Sequence, residues 1–436
     1  MTEKMIVYPP IKIEGDIYLP GSKSITNRAL LLSAMSDGVT HLKNILYSDD
    51  VKYMLNALKL LGVRCILSKK KTSCKIYGQG QKFPINKNIT LFLGNAGTAV
   101  RSLLSVLSIK KNNIIITGDQ RMQERPIKHL VDALEQGQAK FKYLKKKKCI
   151  PICIQGGFQG GNITVNGSIS SQFLTGLLLV SPISKKNTRI FIKDHLVSKP
   201  YIDITINMMK IFGIEIINNN YKEFFIISNQ NYISPKKYFI ESDASSASYF
   251  LSAAAIKGGT VNILGIGKNS IQGDIKFASV LKKMGAKIIL GKDYIQCSKN
   301  KLYAIDMDLN DIPDAAMTIA ITALFAKGKT IIRNIYNWRV KETDRLFAMS
   351  TELKKVGAII KEGRDYLSII PPKKISSTEI STYNDHRMAM CFSLLSLSGK
   401  PAIILNPKCI NKTFPDYFSK FFSICKYNSK KQKIIN

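Results

Sequence analysis

Two kinds of apolar pattern alternate along the chain. In the first, apolar residues recur at helical spacing, a glycine follows, and a short β-rich run comes next: NALKLLGVRCIL, DALEQGQAKFKYL, NMMKIFGIEII, VLKKMGAKIIL and ELKKVGAII. Each predicts a half-exposed helix ended by a left-handed glycine before a strand, at Gly62, Gly137, Gly213, Gly285 and Gly357, 72 to 76 residues apart. YFSKFFSIC near the C-terminus reads as a degenerate sixth copy. In the second pattern the helices are small and apolar nearly all round and open on polar residues. They begin near Ser24, Gly97, Ser171, Asp243, Asp314 and Asp385, 71 to 74 residues apart. A helix apolar on every face has to be buried, so each of six units pairs one buried and one half-exposed helix over strands. This is an α/β protein in two sets of three units, with a seam at the Pro235-containing stretch between Ser228 and Glu241.

At 436 residues the chain is long for one core, and its 45% hydrophobic and 22% charged content is ordinary for a soluble protein. The net charge of +35 is not. Its lysine runs, at Lys69–Lys71, Lys145–Lys148, Lys373–Lys374 and Lys430–Lys431, are scattered, which favours a solvated surface over a nucleic-acid stripe or a membrane-binding face. Eight cysteines without a CxxC pair or zinc spacing read as reduced thiols of a cytoplasmic protein. No apolar run reaches the length of a membrane span, and no secretory leader precedes the first motif.

That motif is LPGSKSITNRALLLSA. Pro20 and Gly21 stop a strand, and Ser22, Lys23 and Ser24 open a helix that also carries Arg28. Helix amides beside two cations suit a phosphate or carboxylate; the alternative is an ordinary N-cap with solvated cations. Arg121 and Arg125 precede Pro126, read as the first residue of another helix. Lys341 and Arg345 are four apart, as on one helix face, with Glu342 beside them; this is either an anion clamp or a solvated face. Asp314 opens an apolar helix and is either a helix-start charge or a base. Ser170, Ser171, Gln172 and Asn337 are neutral groups suited to reading hydroxyls. The six polar helix starts are either routine caps or faces of a shared cleft. Neither a Ser/His/Asp triad nor a dinucleotide fingerprint can be assembled.

LPGSKSITNRALLLSA, LGNAGTAVRSLL, RMQERPIKHLVDAL, SISSQFLTGLLL, LVSKPYIDIT, ESDASSASYFLSAAAIKGG, IPDAAMTIAITALFAKG, NWRVKETDRLFAM, YNDHRMAMCFSL and KTFPDYF together resemble, in order, the bacterial 5-enolpyruvylshikimate-3-phosphate synthase family. The resemblance implies a two-domain inside-out α/β barrel of six βαβαββ repeats, three per domain. One domain would take residues 1–21 with 241–436 and the other residues 22–240, with the active site in the cleft between them. It implies that Lys23, Ser24, Arg28, Ser170, Ser171, Gln172, Ser198, Tyr201, Asp314, Asn337 and Lys341 contact shikimate 3-phosphate. Phosphoenolpyruvate would meet Lys23, Gly97, Arg125, Gln172, Arg345, Arg387 and Lys412. Asp314 would take the proton of the attacking hydroxyl, Glu342 would exchange one with the methylene carbon, Lys23 would assist as acid or base, and His386 would support them. No metal or organic cofactor is called for.

A monomer is expected, acting on two small anionic substrates by an open-to-closed movement, with no nucleic acid or membrane partner. Ser102 departs from the family pattern, which has proline there, and is expected to lower sensitivity to glyphosate. The UDP-N-acetylglucosamine enolpyruvyl transferases share the fold but carry a cysteine in the loop matching Gly118–Arg125, where this chain has none. A basic nucleic-acid-binding protein is the rival from another class.

Overall fold

The computed structural model describes residues 3–83 and 88–428, so the lysines at Lys430 and Lys431 lie outside the described residues. The chain divides into two compact units. One holds residues 21–240, and the other joins the residues up to Pro20 with those from Glu241 onward.

One sheet plan recurs in both units. Strands Thr90–Phe92 and Ile114–Thr117 lie parallel, as they must when a helix, Gly97–Leu107, connects them. Ile152–Gly156 then pairs antiparallel with Ile114–Thr117, and Lys140–Tyr143 antiparallel with Ile152–Gly156. The same order, one parallel pair followed by two antiparallel strands, repeats in five four-stranded sheets, and a sixth sheet has three strands. Alternating burial along the strands, as in Val39–Lys43, turns one face of each sheet to the core.

Two parallel partners come from the points where the chain passes between units. Lys237–Phe239, just before the second passage, lies parallel to Val39–Lys43. Gly15–Tyr18, just before the first, lies parallel to Thr260–Leu264. Lys4–Val7 joins the sixth sheet, antiparallel to Ala402–Leu405.

The apolar helices are buried as their sequences demand. Every residue of Gly97–Leu107, Ala316–Thr322 and His386–Ser393 is buried, as is every residue of Ser171–Val180 except Gln172. Their small residues permit close packing: a methyl group on Gly176 would overlap Ser105. Their hydroxyls satisfy one another across the helix contacts, Ser248 with Thr318 at 2.8 Å and Ser252 with Thr322 at 2.9 Å. Among the described residues no helix is long and apolar enough to cross a membrane.

Of the five predicted helix-ending glycines, four have positive φ: Gly62 (+85°), Gly213 (+84°), Gly285 (+111°) and Gly357 (+98°). Gly137 does not. Its φ is −83°, and the left-handed residue is Gln138 at +72°. Space, not backbone freedom, explains this glycine, because a methyl group there would overlap the Phe158 ring. The degenerate copy is the helix Tyr417–Ile424, which runs straight into strand Cys425–Lys426.

Candidate active site

In the unit of residues 21–240, polar and cationic groups gather on the first turns of the buried helices. Gly21 brings the chain to helix Lys23–Met35 so close to the Asn44 carbonyl that no side chain fits. Ser22, before that helix, makes no side-chain cap bond, and neither does Ala96 before Gly97–Leu107. Ser170 does cap its helix, its Oγ accepting from Gln172 N at 3.2 Å. Two of the three first turns therefore offer amide donors that no cap side chain closes, the arrangement that draws anions.

Arg28 is buried and donates only to neutral oxygens: Thr205 Oγ1 at 2.9 Å, Ser24 O at 3.0 Å, and Thr175 Oγ1 and Tyr201 O at 3.3 Å. Burial lowers its guanidinium to about 10, so the charge persists at neutral pH. Lys23 Nζ lies 3.5 Å from Asp50 Oδ2. Arg125 Nη1 donates to Asn95 Oδ1 at 2.8 Å, and Arg101 Nη1 to Gln172 Oε1 at 2.8 Å. Gly97 lies beneath both arginines: a methyl group there would sit 2.5 Å from Arg101 Nη1 and 2.9 Å from Arg125 Nη2. Gly97→Ala should therefore displace both guanidinium groups and lower kcat/KM about a hundredfold, with little loss of stability; steady-state kinetics check this. Ser198 holds a left-handed φ of +54° before helix Lys199–Ile211, from which Tyr201 gives its carbonyl to Arg28.

In the other unit, three cations converge on one carboxylate. Asp314 Oδ1 accepts from Lys341 Nζ at 3.0 Å and Arg345 Nη1 at 2.8 Å, and Oδ2 accepts from Arg387 Nη2 at 3.1 Å. Arg345, 1% exposed, also donates to Glu342 Oε2 at 2.8 Å and to Asp385 Oδ2 at 2.7 Å. Burial works against its charge, but Asp385, Glu342 and Asp314 together hold it above the usual arginine range. Burial lowers Lys341, an effect Asp314 opposes and Arg345 reinforces. Asp385 Oδ1 caps helix His386–Ser393 by accepting from Arg387 N at 2.9 Å, and it lies 3.5 Å from His386 Nδ1. Asn337 is buried in the turn Tyr336–Val340, which Trp338 ties to Asp314's turn by donating to Pro313 O at 2.7 Å. Lys412 closes the turn Pro407–Lys412, which packs on His386–Ser393.

The EPSP synthase (3-phosphoshikimate 1-carboxyvinyltransferase) family profile matches residues 7–421. The chain belongs to the EPSP synthase family. The 3-phosphoshikimate 1-carboxyvinyltransferase of Buchnera aphidicola subsp. Schizaphis graminum is 61% identical over 427 residues, spanning 98% of this chain and 100% of its own. That of Shigella dysenteriae is 60% identical over 422 residues, 97% and 99% of the two chains. A solved EPSP synthase from Acinetobacter baumannii superposes with a TM-score of 0.81 at 25% identity, over 98% of this chain and 99% of its own.

Three local expectations for this EPSP synthase family member are corrected. Lys341 and Arg345 do not share a helix face, because Asp344 caps the helix Arg345–Lys355 by accepting from Phe347 N, which leaves Lys341 in the preceding loop. They meet on Asp314 all the same. Asp314 does not open its helix, which begins at Ala316. Pro126 is not the first residue of a helix either. Ile127 N is drawn to Lys148 O at 2.9 Å, and the helix starts at Lys128.

The sequence alone marks Asp385 as a helix start but not as a partner of Arg345, and it singles out neither Arg101 nor Asp50. Arg101 stands inside LGNAGTAVRSLL, four residues past Gly97, and Asp385 inside YNDHRMAMCFSL, directly before His386.

Proposed function

We propose that this chain transfers the enolpyruvyl group of phosphoenolpyruvate to the 5-hydroxyl of shikimate 3-phosphate, releasing phosphate by addition and elimination. The observation that carries the reading is Asp314, a carboxylate held by three cations beside Glu342. Lys341, Arg345 and Arg387 fix the Asp314 carboxylate in place, where it accepts the hydroxyl proton as oxygen attacks the enol carbon. Glu342 gives a proton to the methylene carbon and recovers it as phosphate leaves, and Lys23 assists as acid or base. His386, fully buried against Asp385, supports the cluster.

Shikimate 3-phosphate is assigned to Lys23, Ser24, Arg28, Ser170, Ser171, Gln172, Ser198, Tyr201, Asp314, Asn337 and Lys341. Phosphoenolpyruvate is assigned to Lys23, Gly97, Arg125, Gln172, Arg345, Arg387 and Lys412. Cations and helix amides answer the phosphates and carboxylates, and they stabilise the charge of the tetrahedral intermediate. The enzyme is placed in the cytoplasm as a monomer, a compartment that the eight free thiols suit. Its excess lysine is assigned to solvated surface and not to a nucleic-acid partner.

The test is phosphate release from phosphoenolpyruvate with and without shikimate 3-phosphate. Release that ignores the second substrate, or an undiminished rate in Lys23→Ala, removes the proposal. A pH profile adds a sharper check. Lys341 is charged below its lowered pKa, so its grip on an anionic substrate is present at neutral pH and lost as pH rises, before the usual lysine value of 10.5. Activity should fall on an alkaline limb below that value, and Lys341→Arg should move the limb upward; an unmoved limb assigns it to another group.

A further inference from the structure

Where the buried helices of the unit of residues 21–240 end, the molecule holds a second cavity. Helix Lys23–Met35 ends at its wall in Met35, Gly97–Leu107 reaches it through Ile109 and Lys110, and Ser171–Val180 through Ile183 and Lys185. It encloses about 310 Å³, the lower end of the range for small-molecule sites. Its floor is apolar and partly aromatic: Met35, Phe83, Ile109, Phe158, Ile183 and Tyr232.

Helix ends normally expose carbonyls, which would make such a floor polar. Here serines answer them. Ser36 Oγ donates to Leu32 O at 2.9 Å, Ser108 Oγ to Ser105 O at 2.6 Å and Ser181 Oγ to Leu177 O at 2.7 Å. Tyr232 Oη adds a bond to Leu179 O at 2.9 Å.

The rim is polar, with the carboxamides of Gln81, Asn229, Gln230 and Asn231 and the ammonium groups of Lys110 and Lys185. No carboxylate lines the cavity among the described residues. Lys110 is half-buried and gives two of its three N–H donors to main-chain oxygens, Gln81 O at 2.8 Å and Lys82 O at 3.0 Å. Burial lowers its pKa, and among the described residues no negative charge opposes the shift.

We propose that this cavity is a binding site for a small aromatic carboxylate, its ring against the accessible Ile109 and Ile183 side chains, which pack over the buried Phe83, Phe158 and Tyr232, and its carboxylate on Lys110. An ammonium held by neutral carbonyls at the mouth of an apolar pocket lacks only a counter-ion, and a carboxylate supplies it through a charge-assisted hydrogen bond. A ring of six atoms with a short acid arm fits the volume. The site shares no residue with those assigned to the two substrates, so it stands or falls independently of the transfer reaction.

The test uses the full chain with benzoate, 3-phenylpropanoate and neutral benzamide as probes, read by calorimetry and by the rise in unfolding temperature. A carboxylate should bind about tenfold or more tightly than the amide, and saturating shikimate 3-phosphate should not displace it. Lys110→Met should erase that preference while leaving phosphate release intact, and Ile183→Trp should fill the cavity and abolish binding of both. A probe-induced shift of the Met35 methyl resonance in the wild-type protein should locate the ligand without any variant. Equal affinity for acid and amide in the wild type, a preference that survives Lys110→Met, displacement by shikimate 3-phosphate, or an unmoved Met35 signal would each overturn the proposal.

Discussion

Asp314→Asn should lower kcat on the order of a thousandfold while leaving KM for both substrates unchanged or reduced. The asparagine keeps the shape of the side chain but cannot take a proton, and general-base catalysis is worth roughly 10²–10⁴ in rate. The direction of KM distinguishes this from misfolding. Lys341, Arg345 and Arg387 all bond to Asp314, so removing its charge leaves their cluster one unit more positive, and an anionic substrate meets less competition for the same donors. Steady-state kinetics on the variant decide the matter. A kcat within tenfold of the wild type would take Asp314 out of the chemistry and leave it as a strut for three cations.

Asp385→Ala should be the most damaging single change to stability in the unit that carries it. Asp385 is fully buried and accepts from Arg345 Nε at 2.7 Å and Nη2 at 3.3 Å while capping helix His386–Ser393. Its loss takes one of three carboxylates from a guanidinium that is 1% exposed, a cost bounded by the roughly 3–5 kcal/mol of a fully broken buried pair, and removes a cap worth about 1 kcal/mol. Asp385→Asn, which keeps an oxygen for the helix amide, should recover part of the cap but not the charge. Urea unfolding followed by the single tryptophan, Trp338, reads the unit directly. A midpoint equal to wild type would mean that Glu342 and Asp314 alone suffice for Arg345.

The two units differ in how they begin their buried helices. Asp243 and Asp385 close helix starts in one unit with carboxylates, while Ser22 and Ala96 leave two starts in the other without any side-chain cap. Uncapped first turns leave amide donors open beside Lys23 and Arg125, whereas carboxylate caps offset the helix dipole where they stand.

Much of this was legible in the residues. Small apolar runs opening on polar groups have nowhere to go but the core, and their common period marks six units of paired helices over strands, though not the order of those strands. What could not be read was set by partners distant in sequence. Gly137 is a glycine because of Phe158, and nothing near it in the chain says so. Lys341 and Arg345 looked like helix neighbours, yet a cap at Asp344 separated them and Asp314, brought in from another element, reunited them. Asp385 looked like a helix start alone, because its second duty, holding Arg345, appears only when two helices meet. The spacing of a motif records local geometry; counter-charges are chosen by packing.

The strand borrowing at the two passages sets an order for biosynthesis. Residues 21–240 contain every strand their own three sheets need, including Lys237–Phe239, and can complete them while the ribosome is still translating the rest of the chain. Lys4–Val7 emerges far earlier but must wait for Ala402–Leu405, almost the whole message later, before it has an edge to join. Lys4–Val7 therefore waits without its sheet partner while the residues between are made, and is among the last strands to dock.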